Sequence, residues 1–191
     1  MHEFQLIKNY FQKLSKKSPS ALNLNDDVFF DKKNRLVVSV DTYIEGNHFI
    51  DFKKPDLVIK KIIRSSISDL ICKGVKPKYY FISGSGNKKS FSKSNLSKIS
   101  KSLNQEQNKY EIFLSGGDTV FSNKLSFTIT SIGFSNNLVY RNKAKINDDI
   151  YVSGNLGDSY LGLLILKNKL KTTNRLKKYF IDQYFMPNIQ L

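Results

Sequence analysis

The 191-residue sequence predicts an α/β chain (α+β in the stricter sense). Three observations predict it. β-Branched and aromatic runs at 35–41 (RLVVSVD), 78–83 (KYYFIS), 111–118 (EIFLSGGD) and 125–134 (LSFTITSIGF) read as strands. Segments of helical periodicity fall between them. Four short acidic or glycine-bearing stretches, NDDV at 25–28, SVDTYIEGNHF at 39–49, SISDL at 66–70 and SGGDTV at 115–120, end or interrupt apolar runs. Each of these is a place where an element stops and carboxylate or backbone faces solvent.

In chain order, Phe4, Ile7, Phe11 and Leu14 recur at helical spacing and predict an amphipathic helix over 3–15. Residues 16–27 are polar and punctuated by Ser and Asn. The strand at 35–41 ends on Asp41, and a loop follows in which Gly46 and Asn47 can supply positive φ. Pro55 opens a mostly buried helix carrying Leu57, Ile59, Ile62, Ile63, Ile67, Leu70 and Ile71, closed by Gly74. The Ser/Lys-rich stretch 84–102 has the composition of a linker. Phe91, Leu96, Ile99 and Leu103 nonetheless favour a solvated helix there. A second unit begins near 138, with a turn at Asn147–Asp148, then a strand, then a helix starting at Gly157-Asp158-Ser159. A further helix covers roughly 174–185, before Pro187. The domains are thus 1–137 and the opening of a second at 138–191, with no internal repeat.

Bulk composition narrows the function classes. A hydrophobic content of 40% supports a buried core, and no apolar run approaches a membrane span. The N-terminus lacks the continuous apolar stretch of a signal peptide, and the cytoplasm is the default compartment. Cys72 is the single cysteine, so a disulfide framework within the chain and a multi-cysteine zinc site are excluded. His2 and His48 are the only histidines and do not make a histidine metal site. The net charge of +15 invites a nucleic-acid reading. Against it, the excess is almost all Lys spread along the chain, and Arg35, Arg64, Arg141 and Arg175 are scattered. A compositional bias toward Lys, Asn, Ile and Ser is favoured over a polyanion surface, and no nucleic-acid-binding signature is present. A nucleotide substrate suits the field either way.

The acids are scarce, 16 against 31 basic residues, yet Asp26, Asp27, Asp41, Asp69 and Asp118 all sit in small polar contexts. Hard oxygen ligands converging on Mg²⁺ are what a phosphate-handling site needs. Taken singly, each stretch reads first as ordinary turn and cap chemistry. Ser39 in its strand reads equally as solvent-facing and Arg141 equally as a surface cation, while His48 taken alone reads first as a turn residue. Asp118 after Gly116-Gly117 is the sharpest case, since two glycines let backbone approach a phosphate closely.

The motifs in sequence are NDDVFF, VVSVDTYIEGNHF, SSISDLICKGVKP, FLSGGDTV, FTITSIGF, VYRNKAKINDDIYVSGNLGDSYLGL and the terminal YFMPN. In this order the chain resembles the thiamine-monophosphate kinase family of the aminoimidazole-ribonucleotide-synthetase-like superfamily. The resemblance implies an N-terminal α/β domain with a four-stranded mixed sheet flanked by helices, then a C-terminal α/β domain, with two N-terminal sheets pairing in a homodimer. It implies transfer of the ATP γ-phosphate onto thiamine monophosphate, with Mg²⁺ and with ATP as co-substrate. By the same resemblance, Asp27, Ser39, Val40 (through its carbonyl), Asp41, Asp69 and Asp118 fall on metal positions. Gly117, Asp118, Arg141 and Tyr110 fall on ATP-contacting positions, and His48 on a thiamine-contacting one. Asp118 and Asp41 are the expected catalytic residues. The family's glycine-rich lead into the first acidic pair is here LNLNDD, where Asn23 and Asn25 are expected to tolerate left-handed geometry. Its later SDGL and GGEDYE-type motifs do not occur, so a C-terminally truncated kinase of impaired activity is expected.

Overall fold

The computed structural model describes residues 1–189. Five strands, β1 (Phe29–Asp31), β2 (Leu36–Ile44), β3 (Pro77–Gly86), β4 (Phe113–Phe121) and β5 (Ser126–Phe134), form one mixed sheet in the order β1-β2-β5-β3-β4. Only β3 and β4 pair in parallel. The expected count of four strands becomes five because β1, three residues running from the end of NDDVFF to Asp31, is too short to show a period-two pattern.

Burial alternates along the strands, and this fixes the faces of the sheet. In β5, Phe127, Ile129, Ser131 and Gly133 turn inward. α2 (Pro55–Ile71) covers this side. Its start uses Pro55 in the first turn, and it buries Val58, Ile59, Ile62, Ile63, Ser66, Ile67 and Leu70. Gly133 is required where it stands. A Cβ there would lie 2.6 Å from Val75 Cγ1 and 2.7 Å from the Lys76 carbonyl, so no side chain fits under the loop after α2. α3 (Lys93–Tyr110) is the helix favoured over a linker. Ser92 caps it by accepting from the Asn95 amide, and Ile99, Ser102, Glu106 and Tyr110 form its buried stripe against α2.

Among the described residues, no helix covers the other face of the sheet. Val38, Ile132, Tyr79 and Phe113 stand in one cross-strand row, with Val40, Thr130, Phe81 and Gly116 in the next.

Two expectations for secondary structure are corrected. The helix expected over 3–15 is broken into α1 (Glu3–Leu6), a π turn (Ile7–Phe11) and a 3₁₀ turn (Leu14–Lys17), and Phe4, Phe11 and Leu14 stay exposed. An amphipathic stripe without a core to receive it has only intrinsic propensity to hold it, and short helices are marginal on that alone. The strand expected after Asn147–Asp148 is absent among the described residues. Ile150, Tyr151 and Val152 run irregular and exposed, paired with no strand. The two later helices form as expected, α4 (Asp158–Leu166) and α5 (Asn174–Phe185). They pack as a hairpin so close that a Cβ on Gly162 would lie 2.1 Å from the Phe180 carbonyl. The hairpin docks on α2, where Lys61 donates to the Tyr184 carbonyl (3.1 Å) and Arg64 to that of Pro187 (3.2 Å).

Candidate active site

β2 carries Ser39 and Asp41 on the helix-covered face, and α2 brings Asp69 opposite them from its last turn. The Ser39 hydroxyl donates to Asp69 Oδ2 at 3.0 Å, and the Tyr43 hydroxyl to Asp41 Oδ2 at 3.1 Å. The loop before β1 adds Asp26 and Asp27. Asp26 pairs with Lys73 at 2.5 Å, side chains only 6% and 5% exposed, and Asp27 pairs with Arg141.

Burial pushes the Asp69 carboxyl up to about 6, and the negative charges of Asp41 and then Asp27 add to the rise, opposed only by the Ser39 bond. Burial also raises the Tyr43 phenol, with Asp41 as the next cause, so Tyr43 remains a proton donor to that carboxylate. The bond to Asp27 holds the Arg141 guanidinium firmly protonated. Crowded anions in a partly desolvated seam are the condition a divalent cation relieves. Asp27, Asp41, Asp69 and the Ser39 hydroxyl form a hard-oxygen set suited to Mg²⁺. β1 stops pairing with β2 at Val38, which leaves that edge open beside the Val40 backbone. Among the described residues no three carboxylates already close to coordinating distance. Each instead holds a protein donor: Lys73, Arg141, Tyr43 or Ser39.

The structure does not bring Asp118 to this set within one chain, which corrects the expectation of a single four-aspartate cleft. Asp118 pairs with Ser83, and through Thr128 aligns with Thr42, so it lies on the bare face, opposite to Asp41. It also sits three strand spacings from β2, roughly 14 Å. Gly117 beside it is packed against β3, where a Cβ would fall 1.9 Å from the Ile82 carbonyl. Tyr110 is buried in the core with its hydroxyl unpartnered, near Arg64 and away from the carboxylates. As placed, it offers nothing to a nucleotide at the seam. His48 is exposed in the loop after β2. Its Nδ1 accepts from the Ile44 amide (3.0 Å), and its ring stands edge-on to Tyr43 at 5.9 Å.

Sequence reasoning passed over Tyr43, Lys73 and Lys61. Tyr43 had a signal, since it stands two residues after Asp41 and so shares its face of the strand. Lys73 and Lys61 had none among so many lysines.

Comparison with known proteins gives a consistent result. Residues 24–135 match the family model "AIR synthase related protein, N-terminal domain". The thiamine-monophosphate kinase of Buchnera aphidicola subsp. Acyrthosiphon pisum is 33% identical over 97% of this chain and 58% of its own length. That of Haemophilus influenzae is 37% identical over 85% of this chain and 51% of its own. The chain thus spans only 58% and 51% of the length of these two relatives. Among solved structures, AaThiL complexed with AMPPCP and TMP superposes with a TM-score of 0.86 at 26% identity, over 98% of this chain and 59% of that one.

Proposed function

Because this chain belongs to the AIR synthase related family through its N-terminal domain, we propose that it is the N-terminal part of an ATP- and Mg²⁺-dependent thiamine-monophosphate kinase. The observation that carries the reading is the Asp27–Asp41–Asp69 seam, with the Asp69 carboxyl raised by burial and then by its two neighbours. It lies in a fold that superposes on a structure holding an ATP analogue and TMP. An oxygen of the acceptor phosphate attacks the γ-phosphorus of ATP, the bond from that phosphorus to the β,γ-bridging oxygen breaks, and ADP leaves with thiamine diphosphate. Since the nucleophile is already a phosphate oxygen, the chain needs no strong general base. Bound at the seam, Mg²⁺ would neutralise donor and acceptor and hold them in line. Asp27, Asp41, Asp69, Ser39 and the Val40 carbonyl are its proposed ligands. Arg141 is free to leave Asp27 for a nucleotide phosphate when a cation takes the carboxylate. His48 faces the thiamine end of the acceptor.

Asp118 and Gly117 enter this reading only through a second copy. The bare apolar face invites homodimerisation, and a partner's edge strand β4, brought round to the β2 edge that β1 leaves open beyond Val38, would then supply the Asp118 that a single chain holds away from its own seam. Residues 138–191 are the opening of a second domain whose remainder the relatives possess. Residues 1–191 alone are therefore expected to bind Mg·ATP weakly and turn over slowly, because an open half-cleft neither aligns the phosphates nor excludes water. No helix among the described residues is long and apolar enough to cross a membrane, and a cytoplasmic location fits the single cysteine.

The test is thiamine diphosphate formation from ATP and thiamine monophosphate, compared with Asp41→Asn and Asp69→Asn. Loss in both variants supports the seam as the site. Turnover that survives both places the chemistry elsewhere.

A further inference from the structure

Asp26 takes no part in the ligand set proposed above, although it adjoins Asp27 in the chain. It is engaged by Lys73 instead, whose ammonium lies 2.5 Å from Asp26 Oδ1. The same oxygen accepts the Asp27 amide at 2.8 Å. Both side chains are closed to solvent, so neither charge can be released without leaving the other buried and alone. The second cation at the seam is placed differently. Arg141 and its partner Asp27 are 42% and 46% exposed, and that pair is free to open.

The backbone fixes Lys73 as firmly as its side chain does. It follows Cys72, the C-cap of α2, and the carbonyl end of a helix favours a cation. Its amide donates to the Leu70 carbonyl at 3.0 Å. Its own carbonyl accepts from the Val139 amide at 3.1 Å, which ties down the segment leading to Arg141. The pair also stands beside the metal set. Burial raises the Cys72 thiol, and the charges of Lys73, Asp69, Asp27 and Asp26 all reach it as further causes.

We propose that Lys73 is the resident cation of the seam: it neutralises Asp26 permanently, keeps that carboxylate out of the ligand set, and lowers by one the number of divalent cations the seam takes up. Without Lys73, Asp26 would be an uncompensated hard-oxygen anion next to Asp27, and a divalent ion is what relieves such a charge. An ammonium meets the same charge as a compact point cation, with no coordination shell to complete. Arg141 does not share this role, because its exposed guanidinium can yield its carboxylate to a metal. The inference rests on the seam being a metal site, as proposed above.

The experiment counts bound Mn²⁺ by electron paramagnetic resonance, since Mn²⁺ accepts the same oxygen ligands as Mg²⁺. It compares the full wild-type chain, Lys73→Met, and the double variant Lys73→Met with Asp26→Asn, in which the asparagine keeps an Oδ1 for the Asp27 amide and removes the charge. Lys73→Met is expected to bind one Mn²⁺ more per chain than the wild type. The double variant should return to the wild-type number, with affinity within about twofold. Thermal melts give a second readout. Mg²⁺ should raise the Tm of Lys73→Met about twice as far as that of the wild type, and the double variant should respond as the wild type does. If Lys73→Met is unfolded in chelator, its folding on addition of Mg²⁺ is the same result. Equal counts in the wild type and Lys73→Met overturn the proposal, as does a Lys73→Met chain that stays unfolded in saturating Mg²⁺. A double variant that binds fewer cations than the wild type also overturns it, because Asp26 would then be a ligand. The metal reading of the seam fails separately. Wild-type Mn²⁺ binding that is absent, or indifferent to Asp69→Asn, removes that reading, and the role of Lys73 then stands only if Lys73→Met gains a cation that Asp26→Asn abolishes.

Discussion

Asp69 is held where its charge is unwelcome, half-buried with Asp41 and Asp27 close by. A carboxyl whose folded pKa lies near 6 contributes stability below the unfolded value near 4, and that contribution is lost as pH rises through 6. At pH 7.5 the ionised group therefore costs the metal-free fold something. Asp69→Asn is expected to stabilise by roughly 1 kcal/mol at that pH, after allowing for solvent screening, a rise of about 2–4 °C in Tm. The gain should vanish by pH 4, where both side chains are neutral. Mg²⁺ should raise the Tm of the wild type and leave Asp69→Asn unmoved. Melting curves at the two pH values, with and without Mg²⁺, check all three. A variant less stable at pH 7.5 would mean that the Ser39 bond outweighs the repulsion. Lys73 poses the opposite case. It is buried against Asp26, and Lys73→Met should cost about 3–5 kcal/mol by leaving a carboxylate alone, measured by urea unfolding. The acids of the seam were legible because each borders or interrupts an apolar run in a chain short of acid. Their partners were not, since Asp27 meets Arg141 across 114 residues and Ser39 meets Asp69 across 30. No local pattern encodes such pairs.

Elements were read best where burial and period agree. α2 and β5 each have one dry face, and the sequence shows both periods. The helix expected over 3–15 forms only as irregular helical turns with its apolar residues exposed, and the strand near 150 does not form, for a shared reason: an apolar pattern states only that a face wants cover. The lead into the acidic pair shows a finer limit. Asn23 does take left-handed geometry (φ 55°), but Asn25 does not (φ −103°), and Leu22 and Leu24 share the turn at φ 50° and 54°. Leucine pays about 1–2 kcal/mol for that conformation. Leu24, unlike Leu22, is not packed in the core. Leu24→Gly is thus expected to be neutral or to stabilise by up to about 1 kcal/mol, with Leu22→Gly destabilising through lost packing. Paired chemical-denaturation curves distinguish the two. Equal losses at both positions would show that Leu24 contributes burial as well.

At the scale of the whole molecule, the sheet has one dry face and one bare one, and the two faces divide the aspartates. Asp41 lies under α2, whereas Asp118 lies on the bare face of edge strand β4. Val38, Ile132, Tyr79 and Phe113 make a cross-strand apolar row that water disfavours. A second copy laid on this face would cover the row and could bring its edge strand β4, with Asp118, round to the β2 edge left open beyond Val38. If so, Phe81→Asp should yield monomers by sedimentation at micromolar concentration, with the fold intact by circular dichroism. The sharper prediction concerns mixed pairs. Asp41→Asn and Asp118→Asn would each inactivate both sites of a homodimer. When the two variants exchange subunits, one site of each mixed pair takes Asp41 from one chain and Asp118 from the other, and is whole. Random exchange makes half the dimers mixed with one good site each, so about a quarter of wild-type Mg·ATP binding or thiamine diphosphate formation should return. Recovery that requires mixing and is abolished by Phe81→Asp would place Asp118 in the partner's site. No recovery from stable mixed dimers would mean that Asp118 serves its own chain, and that β4 must leave the sheet to do so.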